Sequence, residues 1–214
     1  MRITADLLES NNQIYEAILN NIKSILDVAI NKSINNIRAN IRNLIQQRVT
    51  NEPEYLSLKN GKLRLEFGIE NIDTIDKFID LVLNTLKVET KPIQVNKLSV
   101  SGGFQCSFLD RDELQNLVSS EPALVYDNKG YYLPWAKWLL LEGNKRIVKQ
   151  YDVSQLNSNK SRSGMGFMIR SDTDWFVPRE FAGSITNNWL SRGIGKITEQ
   201  QITSIIQTEI EKQL

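Results

Sequence analysis

From Ile14 to Val49 apolar residues recur at Ile14, Ile18, Ile22, Ile25, Ala29, Ile34, Ile37, Ile41 and Ile45, with Asn, Lys, Arg and Gln between them. Steps of three and four, with one of five, are the repeat of an α-helix. No Gly or Pro interrupts them. About 36 residues at ~1.5 Å of rise reach ~54 Å, longer than a small domain is wide. One narrow apolar stripe on so long a rod needs cover along its whole length. Its own fold supplies that cover, or a neighbouring subunit takes one end.

After the polar TNEPEY, the run KLRLEFGI alternates Leu63, Leu65, Phe67 and Ile69 with charged or small residues, which predicts a half-buried strand. Ile72, Ile75, Phe78, Ile79, Val82, Leu83 and Leu86 then share one helical face, and Lys91-Pro92 is the expected stop. In KLSVSGGFQCSFLD, Leu98, Val100, Phe104, Cys106 and Phe108 alternate toward one side, with a bulge or bend at Gly102-Gly103. Asp110 and Glu113 have capping-box spacing for a short helix through Leu117. A turn at Asp127 to Gly130 separates two apolar segments. Ile147, Lys149, Tyr151 and Val153, followed by Met165, Phe167 and Ile169, form the arms of a β-hairpin with a long polar tip from Ser154 to Gly164. The last stretch has helical spacing through Trp189, Leu190, Ile194, Ile197, Ile202, Ile205, Ile206 and Ile210, broken near Gly193 to Gly195 and restarted by Thr198 and Gln201. The fold class expected is α+β in a single domain, 1–214. Residues 1–50 form a long N-terminal helix, 51–170 a sheet with inserted helices and a long hairpin, and 171–214 a C-terminal helical segment. One antiparallel sheet is expected, from strands near 63–69, 97–108, 138–153 and 165–170, with the first and last helices packed on it.

Charge changes this picture little: 26 Lys and Arg face 25 Asp and Glu, a formal +1. Any pull on nucleic acid or anionic lipid is therefore local. Lys145, Arg146, Lys149, Lys160, Arg162 and Arg170 face only Asp152 between Asn144 and Arg170, enough for phosphate contacts, but the hairpin tip has no aromatics to stack bases. The chain has no histidine, which removes Ser-His-Asp and Cys-His nucleophiles, imidazole acid-base chemistry and His-metal sites together. Cys106 is the single cysteine, excludes an intrachain disulfide, and is expected as a small core residue. Nothing at the start has secretory-signal form, and no apolar run approaches the ~20 residues that span a bilayer. A soluble intracellular product without a membrane partner is expected. Gly164 and Gly166 precede a strand, and Gly193 and Gly195 lack one before them, so neither pair fits a phosphate loop. The carboxylate pairs Asp110/Asp112 and Asp172/Asp174 sit where Asp caps helices and turns, and structural use is the better expectation. Catalytic residues, cofactors and metals are all expected to be absent.

Three pieces in order, LPWAKWLLLEGN, SRSGMGFMI and DWFVPREFAGSITNNWLSRGI, lead into a closing amphipathic helix. They resemble the tail-completion or neck (head-tail joining) proteins of tailed bacteriophages. The match runs over Pro134–Gly143, Ser161–Gly166 and Trp175–Ile194, and GKLRLEF after an N-terminal helix fits in outline. The chain departs from the pattern in its extended first helix, an extra segment around Thr90 to Glu121, and LLLEG where an aromatic-glycine pair is usual. The resemblance implies a non-enzymatic virion structural protein, assembled in the host cytoplasm. It would be a head-tail connector, neck or tail-terminator (tail-completion) subunit. Its partners would be itself, in a homo-oligomeric ring of sixfold symmetry, and neighbouring connector, tail-tube or sheath proteins. A head-to-tail contact closed by rotation makes such a ring. Ser161, Arg162, Ser163, Gly164, Met165 and Gly166 are then the expected assembly loop, ordered against a neighbour, with Arg162 meeting carboxylates across the interface. Met165 and Phe167 anchor its return strand. The alternative is an intracellular nucleic-acid-associated protein whose basic hairpin makes non-specific contact with passing DNA. An enzyme using carboxylates comes third.

Overall fold

A computed structural model describes residues 10–96, 99–126, 130–154 and 166–214. The fold is α+β. The chain divides into two compact units, one of residues up to Ile41 with Lys87–Ser107 and Gln200–Leu214, the other of Arg42–Leu86 with Phe108–Glu199.

The first unit is built on α1 (Asn11–Thr50) as far as Ile41, the helix the apolar repeat predicts. Its start is fixed by a reciprocal cap: the Ser10 N–H donates to Gln13 Oε1 at 2.8 Å, and the Gln13 N–H to Ser10 Oγ at 3.4 Å. Strands β1 (Lys87–Asn96) and β2 (Ser99–Ser107) pair antiparallel, Val88 opposite Cys106. Their register slips between Lys91 and Gln94. A Cβ on Gly102 would lie 2.9 Å from Ile93 Cγ1, so the expected glycine pair marks a bulge. Pro92 stands inside β1 at that bulge rather than ending a helix, because an irregular ladder tolerates its missing N–H. The last helix, α8 (Glu199–Glu211), begins directly after Thr198. It meets α1 rather than a sheet: Ser33 Oγ is 2.9 Å from the Glu209 carbonyl, and Asn40 Nδ2 donates to Glu209 Oε1 at 3.1 Å. Cys106 is exposed, contrary to expectation, because β1 is the only strand partner of β2 among the described residues and most of β2 stays uncovered. Among the described residues of this unit, the buried apolar ones are Ala29, Ile30, Ile37, Ile41, Val88 and Ile93.

The second unit carries the larger core. Helices α2 (Pro53–Asn60), α3 (Lys62–Phe67) and α4 (Asp73–Leu83) follow the end of α1. The strand expected at 63–69 is the helix α3. Leu63 and Phe67, four apart, are both buried, and Lys, Leu, Arg and Glu are good helix formers. Gly68 closes it in the left-handed conformation at φ 66°. A separation of four residues satisfies both periods, and the core selects the helical one. Likewise α6 (Trp135–Leu140) takes the start of the strand expected near 138–153, burying Trp135, Ala136, Leu139 and Leu140 at helical spacing. Among the described residues the expected single sheet is therefore replaced by three two-stranded ribbons: β1 with β2, β3 (Val125–Tyr126) with β4 (Tyr132–Leu133), and β5 (Tyr151–Ser154) with β6 (Phe167–Arg170). Helix α5 (Arg111–Leu117) has the expected capping box, the Glu113 N–H donating to Asp110 Oδ1 at 2.8 Å. Phe78 packs edge-on against Trp135 with ring centres 5.1 Å apart, and Phe67 against Trp175 at 6.2 Å. Helix α7 (Trp189–Gly195) contains both glycines expected as its break.

Gly143 and Gly183 press backbone on backbone. The Gly143 N–H donates to the Gly183 carbonyl at 3.0 Å, and a Cβ on Gly183 would fall 2.4 Å from the Leu139 carbonyl oxygen. Gly183→Ala is expected to lower unfolding free energy by about 2–3 kcal/mol, since two backbones must part to admit the methyl. Urea denaturation measures it; an unchanged midpoint would contradict that packing.

Candidate assembly surface

Of the expected assembly loop, Ser161, Arg162, Ser163, Gly164 and Met165 lie outside the described residues. Gly166 is placed where the return strand comes against β5, its absent Cβ 3.2 Å from the Ser154 carbonyl oxygen and 3.3 Å from Val153 Cγ1. Phe167, opposite Ser154 in the ladder, is half-buried. The hairpin arms are thus where the alternation puts them, although β5 begins only at Tyr151.

The basic stretch around this hairpin is partly neutralised. Arg146 Nη1 donates to Asp174 Oδ2 at 3.0 Å, and Lys145 Nζ to Glu142 Oε1 at 3.0 Å. The Gln150 N–H and the Arg146 guanidinium hold the Asp174 carboxyl below the usual carboxylate range. Lys160 and Arg162 lie outside the described residues. Asp174 is thereby committed to a turn and Asp110 to a helix cap. An open groove of about 290 Å³ runs between Leu109, Arg111, Leu114 and Ile185, and the only carboxylate on it is Asp110, already capping α5. Among the described residues, no three Cys, Asp or Glu side chains are grouped to hold a metal ion, and no helix is long and apolar enough to cross a membrane.

The feature that stands out is on α1. Its apolar stripe is buried at Ala29, Ile37 and Ile41, but Tyr15, Ile18, Ile22, Ile25 and Val28 are 41% to 54% exposed. The helix is covered in its second part, while the a and d positions of its first part are open. Surface aromatics gather elsewhere on the β3–β4 ribbon, where Tyr126 and Tyr132 sit across the ladder with ring centres 6.0 Å apart, both exposed beside Tyr131. Sequence reasoning did not single out these tyrosines. Their only signal was aromatic residues crowded on either side of a turn.

One electrostatic cluster is buried rather than displayed. Glu52 and Glu54, at the start of α2, are almost wholly buried and take as partners Lys196, the C-cap of α7, and Arg192 within it. These cations are four residues apart, so one helix face serves both acids. Burial pushes the Glu54 carboxyl up; its own backbone N–H and Arg192 oppose this, and Glu52 adds to it. Glu54 Oε2 has no hydrogen-bond partner. At Asp76 the balance is the reverse: burial raises it, but hydrogen bonds from Lys59 at 2.6 Å and the Tyr55 hydroxyl at 2.7 Å prevail and hold it low. Burial and then the Asp76 contact push the Tyr55 phenol up to about 12. These groups knit helices together and none faces the groove.

No family model, curated protein or solved structure matches this chain.

Proposed function

We propose that this protein is a structural subunit of a tailed-phage virion that works by self-assembly, as a head-tail connector, neck or tail-completion ring. The observation that carries this is the open first part of α1. A row of five large apolar side chains on a unit with a thin core is an interaction surface, because exposed apolar area in such a continuous strip is otherwise a liability. The likeness of Pro134–Gly143 and Trp175–Ile194 to head-tail joining proteins supplies the setting. The Glu52 and Glu54 pairs support a rigid carrier rather than a chemical site, since their partners are fixed within the fold. Copies meet through α1, and the hairpin that holds Gly166 is a second contact, toward the same or a neighbouring ring.

Peptides of this chain are expected in particles purified from the phage that encodes it, at several copies per particle by quantitative mass spectrometry. Absence from washed particles would overturn the proposal. Salt-sensitive retention of the purified chain on DNA, without particle incorporation, would favour the nucleic-acid alternative.

A further inference from the structure

The spacing of the open stripe specifies what covers it. With Tyr15 at position a of a seven-residue repeat, Ile18 and Ile25 fall on d and Ile22 on a, a coiled-coil seam. An a/d seam alone suits two helices. Here Leu19 and Leu26, half-buried in the single chain, occupy e and the exposed Val28 occupies g, so apolar surface extends past the a/d seam on both flanks. The charges of this segment, Glu16, Lys23 and Asp27, fall on b and f. Parallel copies in register therefore bring no like charges together across the seam. Area points the same way. About 18 residues of paired helix, ~27 Å long, bury on the order of 1,000 Å² as a dimer, under the ~1,200 Å² where stable interfaces begin. Contact with two neighbours doubles what each helix buries.

We infer that the Asn11–Val28 segment of α1 is covered by the same segment of other copies of this chain, in a parallel, in-register bundle of more than two helices. This rests on the proposed ring, whose rotation axis keeps equivalent helices parallel. The seam residues of each copy then meet their own counterparts, Ile18 against Ile18 and Ile25 against Ile25. Asn20, at f, stays on the outside of the bundle.

Single cysteines in the full chain, on a Cys106→Ser background, test this. Tyr15→Cys and Ile25→Cys are each expected to form covalent dimers on oxidation, whereas Asn20→Cys stays uncoupled. The native mass by light scattering is expected to exceed two copies. Cross-linking only when Tyr15→Cys and Ile25→Cys chains are mixed would mean antiparallel packing and overturn the inference. So would a mass of one or two copies, or equal coupling at Asn20→Cys. If the chain is present in particles but these cross-links fail, the bundle is wrong and the virion role stands. If the cross-links form but particles lack the chain, the reverse holds.

Discussion

Replacing Ile18, Ile22 and Ile25 together by serine is expected to disperse the assembly while leaving the subunit folded. Each isoleucine is about half exposed in the single chain, so the fold draws little on it. Covering the remaining half is worth about 1 kcal/mol per side chain, from ~1.5–3 for a full burial. Three such losses per copy lower the association constant roughly 100-fold. Serine and isoleucine have similar helix propensity, so α1 itself survives the change. Light scattering should report the monomer mass at concentrations where the unaltered chain is assembled, with an unchanged circular dichroism spectrum. A variant that stays assembled would place the contact elsewhere, with the exposed Tyr126, Tyr131 and Tyr132 the next surface to alter. A variant that unfolds would mean the stripe serves its own unit, and Ile22→Ser alone, at the least exposed of the three positions, would then show the loss in smaller measure.

The helices α1, α5, α7 and α8 were legible because their signals are local: a long uninterrupted repeat, capping boxes, and spacing that only a 3.6-residue period satisfies. The runs KLRLEF and WAKWLL were misjudged for a shared reason. Six residues hold fewer than two helical turns, and Leu63 with Phe67, or Trp135 with Leu139, fit either period until the core takes one face. The two units left no trace in composition, since contacts remote in sequence define them. The stripe on α1 keeps helical spacing on both sides of the five-residue step from Ala29 to Ile34, and spacing alone does not say which turns are covered. The buried acids were hidden most completely. Glu52 and Glu54 flank Pro53 in a polar run that reads as a solvated turn, and their partners lie some 140 residues further on. A charge pattern along the chain cannot show a pairing made only in three dimensions.

That pairing carries the other large expected effect. Arg192→Met removes the cation from Glu54 and leaves a carboxylate that is 2% exposed beside the equally buried Glu52. Breaking a buried pair costs about 3–5 kcal/mol, and the Arg192 side chain is 35% exposed, which puts this case near the lower end, about 3 kcal/mol at neutral pH. The pH dependence gives the cause away. Burial already raises Glu54 in the unaltered protein, so its folded form binds a proton more readily than the unfolded chain does. The stability linked to that proton is fully present below the ordinary carboxylate range and is lost as pH rises through the raised value. Arg192 lowers Glu54, so its removal raises the carboxyl further and widens that window. The variant should therefore be worst at pH 7 and recover toward the unaltered protein as the medium is acidified to the ordinary carboxylate range, about pH 4.3. Adding Glu54→Gln should recover part of the loss at neutral pH and flatten the recovery, because the buried charge is gone. Denaturant midpoints for both variants at the two pH values measure this. If single and double variants lose the same stability at both, Arg192 holds α7 by packing alone and the charge on Glu54 plays no part.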